Sequence, residues 1–286
     1  MKRILLTGAT GFVGGFFLRN YSDFYKIKIF SFLNDNFQDL NLNNIDVVIH
    51  CSALVHQMNG ASKDQYYDVN VNQTAQLAKK AKNSGVKHFI FLSTVKVYGE
   101  ESDIGYKENS PTNPTDYYSA SKIEAEDYLR SIENDKFEIA VVRSPLIYGY
   151  GVKANFLSLI NLIKRISILP LKNTNNKRSI VFVGNVCFIL DQIICLKKSG
   201  IFIATDDNPL STTELVELIS KCLDKKMFLV SIIFFETLLK IIKPSYYKRL
   251  FGSLFFDNSL TMKELNLSSN KYSTEYGIKT IVKSNI

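Results

Sequence analysis

Groups that hold metals or build disulfide frameworks are scarce in this chain of 286 residues. It has four cysteines, Cys51, Cys187, Cys195 and Cys222, and three histidines, His50, His56 and His88. No Cys-x-x-Cys spacing joins the cysteines, and no histidine stands with a cysteine or acidic cluster at ligand spacing. Neither a metal site nor a disulfide scaffold is therefore expected. Reduced thiols suit a cytoplasmic protein. A long apolar run is also missing. The most apolar later stretch, Met227 to Ile242, is interrupted by Glu236 and Lys240 and is too short to span a bilayer. It reads as a buried or partner-facing helix in preference to one lying on a membrane surface. The opening Met1 to Leu6 resembles a signal peptide, but four glycines and two threonines follow between Thr7 and Gly15, so no leader is expected. Long basic runs are lacking too. The formal charge of +8 is scattered over Lys79-Lys80, Lys164-Arg165, Lys177-Arg178 and Lys225-Lys226. No nucleic-acid module accompanies it, and such a potential suits a small phosphate-bearing substrate.

What is present is a regular rhythm. Apolar residues make up 46%, enough for one large domain or two sharing a core. Strands are expected at Lys2 to Leu6, Tyr25 to Phe32, Asp46 to His50, Phe89 to Leu92 and Glu138 to Arg143. Helices are expected from Gly11 to Arg19, from Val69 to Ser84 and from the Pro114 turn to Ile132. The unbroken apolar run Val47-Val48-Ile49 indicates a parallel sheet covered on both faces. From Gly149 the rhythm changes to an apolar helix at Asn155 to Ile168, a polar loop and a strand at Ser179 to Val183. No internal repeat or low-complexity linker occurs.

Two motifs carry chemistry. Gly8, Gly11 and Gly14 follow the first strand and open a helix. Gly8 permits a tight turn, Gly11 admits a pyrophosphate to the backbone, and Gly14 lets helix and strand pack closely. The helix N-terminus at Phe12 and Val13 offers N–H donors to phosphate. Tyr118 and Lys122 stand four residues apart on one helix face. An ammonium and an oxidised nicotinamide beside that phenol would favour phenolate and lower its pKa. Thr94, at a strand end, can offer its hydroxyl to the same substrate oxygen. The end of the second strand, Ile29-Phe30-Ser31-Phe32, has no carboxylate until Asp35. Ser31 could tolerate a 2′-phosphate, so the cofactor is NAD or NADP with a lean to NADP. The expected fold class is α/β: a Rossmann-like doubly wound parallel sheet with a smaller C-terminal substrate-binding lobe. Residues 1–150 would be the dinucleotide-binding domain with the Tyr-xxx-Lys pair. Residues 151–286 would be mainly the substrate lobe, with segments returning to the first domain.

The chain resembles the extended short-chain dehydrogenase/reductases of the NAD-dependent epimerase/dehydratase family, which act on nucleotide sugars. The resemblance runs through Thr7 to Gly14, Asp39-Leu40, Ile49 to Ala53, Tyr67 to Thr74, Ser93 to Gly99, Tyr118 to Lys122 and Arg143 to Gly149. It implies that Asp39 and Leu40 touch adenine and that Cys51, Ser52 and Ala53 line the cofactor path. Asn70 would brace the active-site loop, and Thr94, Tyr118 and Lys122 would be catalytic. Asn155 and Arg178 would meet the substrate's pyrophosphate or nucleotide, the latter by a bidentate grip. Two departures stand out. Val95 and Lys96 replace the Asp-Glu pair of the dehydratases, which argues against a 4,6-dehydratase. Leu146 replaces a frequent Asn, which distances the chain from the common hexose epimerase.

The segment Gly151-Val152-Lys153-Ala154-Asn155-Phe156 resembles a branch linked to surface polysaccharide synthesis. The expected activity is hydride transfer at C4 of a nucleotide-linked sugar, with reduction of an NDP-4-keto-(6-deoxy) sugar put first. The alternatives are a C4 epimerase of a UDP-hexose or UDP-N-acetylhexosamine, and a non-catalytic NAD(P)-sensing protein. Nucleic acid is not an expected partner, and a homodimer stays open.

Overall fold

Alternate residues of the first strands point to opposite faces, and both faces are apolar. The structure, a computed structural model, describes residues 1–55, 61–152 and 155–284, without the side chains of Asn155 and Ser284. His56, Lys153 and Ala154 lie outside the described residues. In chain order the strands are β1 (Arg3–Thr7), β2 (Lys26–Phe30), β3 (Val47–His50), β4 (His88–Thr94), β5 (Glu138–Ser144), β6 (Leu146–Tyr148), β7 (Ile168–Leu169), β8 (Ile180–Phe182), β9 (Gly200–Ile203) and β10 (Phe228–Leu229). The helices are α1 (Phe12–Tyr21), α2 (Lys63–Tyr67), α3 (Gln73–Asn83), α4 (Tyr117–Ser131), α5 (Asn155–Arg165), α6 (Val183–Leu196), α7 (Thr212–Cys222), α8 (Phe235–Ile242), α9 (Pro244–Phe251), α10 (Ser259–Glu264) and α11 (Thr274–Ser284).

Six parallel strands make one sheet in the order β2-β1-β3-β4-β5-β9. Ile4, Leu6, Val47 and Ile49 enter the buried cluster with α1, α6 and α11, whereas Leu5 and Val48 enter the one with α3 and α4. That split follows from the two-residue period of a strand. Each such fully buried aliphatic side chain stabilises the fold by about 1.5–3 kcal/mol. The chain runs from β1 outward to β2, then crosses to β3 on the other side of β1. Ligands of open α/β sheets bind at such a reversal, beyond the carboxyl ends of the strands.

Past residue 150 the chain both completes this sheet and leaves it. β9 adds the sixth strand beside β5, with Val142 paired to Phe202, and α6 packs on α1. β6 pairs with β8 and β7 with β10 in two small parallel ribbons. Asp206 gathers this part. Its carboxylate accepts hydrogen bonds from Tyr148 Oη (2.5 Å), the Phe182 N–H (3.0 Å), Asn185 Nδ2 (2.8 Å) and Thr274 Oγ1 (3.1 Å).

The Met227 to Ile242 stretch departs from the burial expected of it. It divides into β10 and α8, and no residue of α8 or of the following α9 is buried. Glu236 and Lys240 stand one turn apart on α8, and only Phe235 and Leu239 among its residues are even partly covered. Among the described residues no helix is long and apolar enough to cross a membrane.

Candidate active site

The glycine turn is shaped by backbone rather than side chains. Gly8 has φ +70°, and a Cβ there would meet the Cys51 carbonyl carbon at 2.8 Å. A Cβ on Gly14 would meet the Gly8 oxygen at 2.3 Å. Gly11 differs. A Cβ there would touch only that oxygen, at 3.1 Å, and otherwise faces open space. Gly11 is the N-cap of α1, contributes no side-chain cap, and no acidic residue follows in the first turn. The N–H groups at Phe12 and Val13 thus begin an uncapped helix with a partial positive charge. This cradle fits the pyrophosphate of a dinucleotide.

At the end of β2 the loop turns back on itself. The Asp35 carboxylate accepts the Ser31 N–H at 2.8 Å, placing at the strand end the acid that the strand itself lacks. Asp39 is exposed and accepts from Asn36 Nδ2 at 3.0 Å. Leu40 is buried in the core under the α3 side. Beyond β3, Cys51, Ser52 and Ala53 are half-buried, and burial pushes the Cys51 thiol up to about 12. The Ser52 N–H donates to Thr7 Oγ1 at 3.2 Å.

Asn70 holds the same crossover. It accepts from the Leu54 N–H (2.8 Å) and donates through Nδ2 to the Leu54 carbonyl (3.0 Å) and Ser121 Oγ (3.0 Å). It sits in a single π-helical turn, Asp68–Asn72, between α2 and α3, so the helix begins six residues before the expected Val69. Such π turns are frequent at functional sites, and no sequence signal marked this one. His50 was given no role, and its role is structural. Its two ring nitrogens share hydrogen bonds with Thr7 Oγ1 (2.7 Å) and Thr74 Oγ1 (2.9 Å). Burial first, then the Lys122 ammonium, lowers its pKa to about 3 and keeps it neutral.

α4 presents the Tyr-xxx-Lys pair. Asp116 caps it, accepting the Ser119 N–H at 2.7 Å, and is itself held by Lys96 Nζ at 2.6 Å. Burial opposes its ionisation, yet the Lys96 and Ser119 bonds hold its carboxyl below the ordinary range. Lys96 is therefore part of the frame of α4. Tyr117 is 56% exposed, whereas Tyr118 is half-buried, with Thr94 favouring its ionised form. Lys122 lies fully inside, with Nζ donating to the Leu92 carbonyl at 2.8 Å and 3.8 Å from the Phe91 ring centroid.

Burial dominates the electrostatics of the pair. Burial raises the Tyr118 phenol above its usual value, Thr94 opposes this, and Asp116 and Tyr66 add to it. Burial also lowers Lys122 to about 7, against the pull of Glu126 and Cys51. Spacing put a charge beside the phenol but could not show that both groups lose their water. One turn beyond Lys122, Glu126 pairs with Arg143 at 2.5 Å and accepts from Ser93 Oγ at 2.5 Å. This buried pair ties α4 to β4 and β5.

The other substrate candidates come from the second half of the chain. The side chain of Asn155 is outside the description, although the residue opens α5. Arg178 is half-buried, and its guanidinium donates to the Lys248 and Gly252 carbonyls, both at 3.1 Å. It caps the C-terminal end of α9. Burial first, then Arg249, lowers its pKa.

A doubly wound sheet, a glycine cradle at its first crossover and a Tyr-xxx-Lys helix define a short-chain dehydrogenase/reductase. The chain belongs to the NAD dependent epimerase/dehydratase family, whose model matches residues 4–201. It is 34% identical over 281 residues to a UDP-glucose 4-epimerase of Vibrio cholerae, covering 89% of this chain and 82% of that one. Over 244 residues it is 27% identical to an N-acetyl-alpha-D-glucosaminyl-diphospho-ditrans,octacis-undecaprenol 4-epimerase of Escherichia coli O157:H7, covering 78% and 73%. The fold also matches the UDP-glucuronic acid 4-epimerase from Bacillus cereus solved with NAD, with a TM-score of 0.76 at 17% identity over 98% and 97% of the two chains. It matches RMD from Pseudomonas aeruginosa solved with NADPH, with a TM-score of 0.78 at 17% identity over 99% and 98%. This is a nucleotide-sugar enzyme family that uses NAD or NADP.

Proposed function

We propose that the chain is a C4 epimerase of a diphosphate-linked sugar, with NAD held at the β1–β3 reversal. The observation that carries this is the placement of Tyr118 on α4 with Lys122 one turn along, its Nζ on the Leu92 carbonyl near the end of β4, two residues before Thr94. Gly8, Gly11 and Gly14, with the N–H groups at Phe12 and Val13, would hold the pyrophosphate. Asp39, Leu40, Cys51, Ser52 and Ala53 are assigned to its path, and Asn70 to bracing the crossover. Bound NAD supplies a hydride acceptor at the sugar's C4 and a positive charge beside the phenol.

Tyr118 then exchanges the O4 proton, while Thr94 donates to the same oxygen. The high resting pKa of the phenol keeps its proton in place until that positive charge arrives. Lys122 is placed to steady the phenolate. Val95 is buried and Lys96 is committed to Asp116, so neither can replace the acid and base that remove water from a sugar. Elimination is thereby disfavoured.

Two arguments move the reading from reduction to epimerisation. The Vibrio cholerae relative at 34% identity is a 4-epimerase. The Asp35 carboxylate would repel a 2′-phosphate and can accept from a ribose hydroxyl, favouring NAD. Asp35→Asn should raise NADP affinity about tenfold relative to NAD, as a titration of both cofactors would show. The E. coli relative's sugar sits on a polyprenyl diphosphate rather than a nucleotide. A sugar bearing a diphosphate is the chemistry common to both relatives. A single reduction of a 4-keto sugar is the second reading, favoured by Leu146, half exposed where an Asn is frequent.

The test offers UDP-hexoses and UDP-N-acetylhexosamines with NAD, and 4-keto-6-deoxy sugar nucleotides with NADPH. C4 epimers formed without net cofactor change support the epimerase. NADPH consumed by the keto sugar replaces it with the reductase. Turnover of free sugars alone overturns both.

A further inference from the structure

The sugar chemistry leaves one large surface feature unused. α8 and α9 pack on each other, and neither has a buried residue. Ile233 and Phe234, just before α8, are 80% and 78% exposed, and Ile241 within it is 74% exposed. Phe235 and Leu239 turn toward the protein, while Leu238, Ile241 and Ile242 carry the apolar arc outward. Exposed Ile168 and Phe228, paired between β7 and β10, also stand on this lobe. A cluster of this kind exceeds the scattered apolar residues of an ordinary surface.

Its charge is one-sided. Residues 235–251 contain Lys240, Lys243, Lys248 and Arg249 against the single acid Glu236. Lys248 is paired with Glu101 at 3.1 Å. Lys240 and Lys243 lie over the rings of Tyr247 and Tyr246, at 5.4 and 5.3 Å from their centroids. Aliphatic tips, tyrosines beside them and lysines at the border suit a helix lying in a headgroup layer. A second copy is a poorer occupant. A two-fold interface would bring lysines of the same patch together, and protein interface cores are depleted in lysine. Lipid phosphates would neutralise them.

We infer that α8–α9 docks this protein on an anionic phospholipid bilayer. Ile233, Phe234 and Ile241 enter the acyl boundary, and Lys240 and Lys243 meet the phosphates. The docking does not depend on which sugar is turned over. Arg178 ties it to the rest of the lobe, its guanidinium gripping the end of α9.

The experiment is sedimentation of the full chain with extruded vesicles of phosphatidylcholine, alone or mixed with phosphatidylglycerol, across a salt series. The chain should pellet with the anionic vesicles, less so as salt rises, and much less with phosphatidylcholine alone. Ile233→Glu combined with Phe234→Glu should weaken partitioning tenfold or more, and Lys243→Gln about fivefold. These side chains are exposed, so circular dichroism and NAD binding should stay unchanged and show that the variants fold. Equal pelleting with both vesicle types, or none, overturns the inference. So does a dimer in light scattering that becomes monomeric in the Ile233, Phe234 variant without any vesicle binding, which would make the patch an interface between copies.

Discussion

Gly11 and Gly14 lie three residues apart, yet their substitution should separate ligand binding from stability. A Cβ on Gly14 would sit 2.3 Å from the Gly8 oxygen, so α1 must move by about 1 Å to restore an ordinary contact. The neighbour is backbone and cannot rotate away. Overpacking of that kind costs about 1–3 kcal/mol, which in a chain of this size lowers Tm by about 2–5 °C. Gly11 is otherwise. Its φ of −77° and ψ of 176° suit any residue, and its Cβ direction is open apart from one contact at 3.1 Å. Gly11→Val should change apoprotein stability by less than about 1 kcal/mol, while its methyl groups occupy the space the phosphates need. Thermal unfolding without ligand and calorimetric titration with NAD separate the two. Gly14→Ala should melt early, and Gly11→Val should melt normally but bind NAD at least tenfold more weakly. Normal NAD affinity in folded Gly11→Val, or equal melting losses in both variants, would refute the cradle.

The neighbouring tyrosines give a second contrast: Tyr118→Phe should lose about 10²-fold or more in turnover while still binding cofactor, and exposed Tyr117→Phe should be near normal in the same assay. Arg178→Ala removes the α9 cap and should speed proteolysis between residues 234 and 250, as limited digestion would show. Burial holds His50 at about 3 and His88 at about 4. Between those values and about 6.5 the unfolded chain binds protons that the folded chain refuses, so stability falls as pH drops through that window. The slope is about 1.4 kcal/mol per pH unit for each histidine, and urea titrations at pH 6.5 and 5 should show it reduced in His50→Gln.

The strands β1 to β5 and the helices α1 and α4 were legible in the sequence because their apolar spacing and flanking turns agree. β9 was not. Its four residues follow the long apolar α6 and a left-handed cap at Lys197 (φ 52°), and periodicity cannot divide a continuous apolar run into helix and strand. The Tyr118, Lys122 and glycine positions could be read from spacing alone. The Asp35 carboxylate could not, because a loop returns it to Ser31 from four residues away. Nor could the opposed pKa shifts of Tyr118 and Lys122, since desolvation depends on what the fold packs around them. The Met227 to Ile242 stretch had the composition of a core helix. Whether the body of the protein would cover it was a question of tertiary packing.

Tyr118, Lys122 and Glu126 lie on consecutive turns of α4, where Lys122 is anchored to the Leu92 carbonyl and Glu126 to Arg143. The helix thus acts as a ruler whose marks cannot be moved singly. One residue inserted between 118 and 126 would rotate everything after it by about 100° and swing Glu126 away from a buried guanidinium. Length changes should therefore be refused within these nine residues, whatever sugar the site accepts.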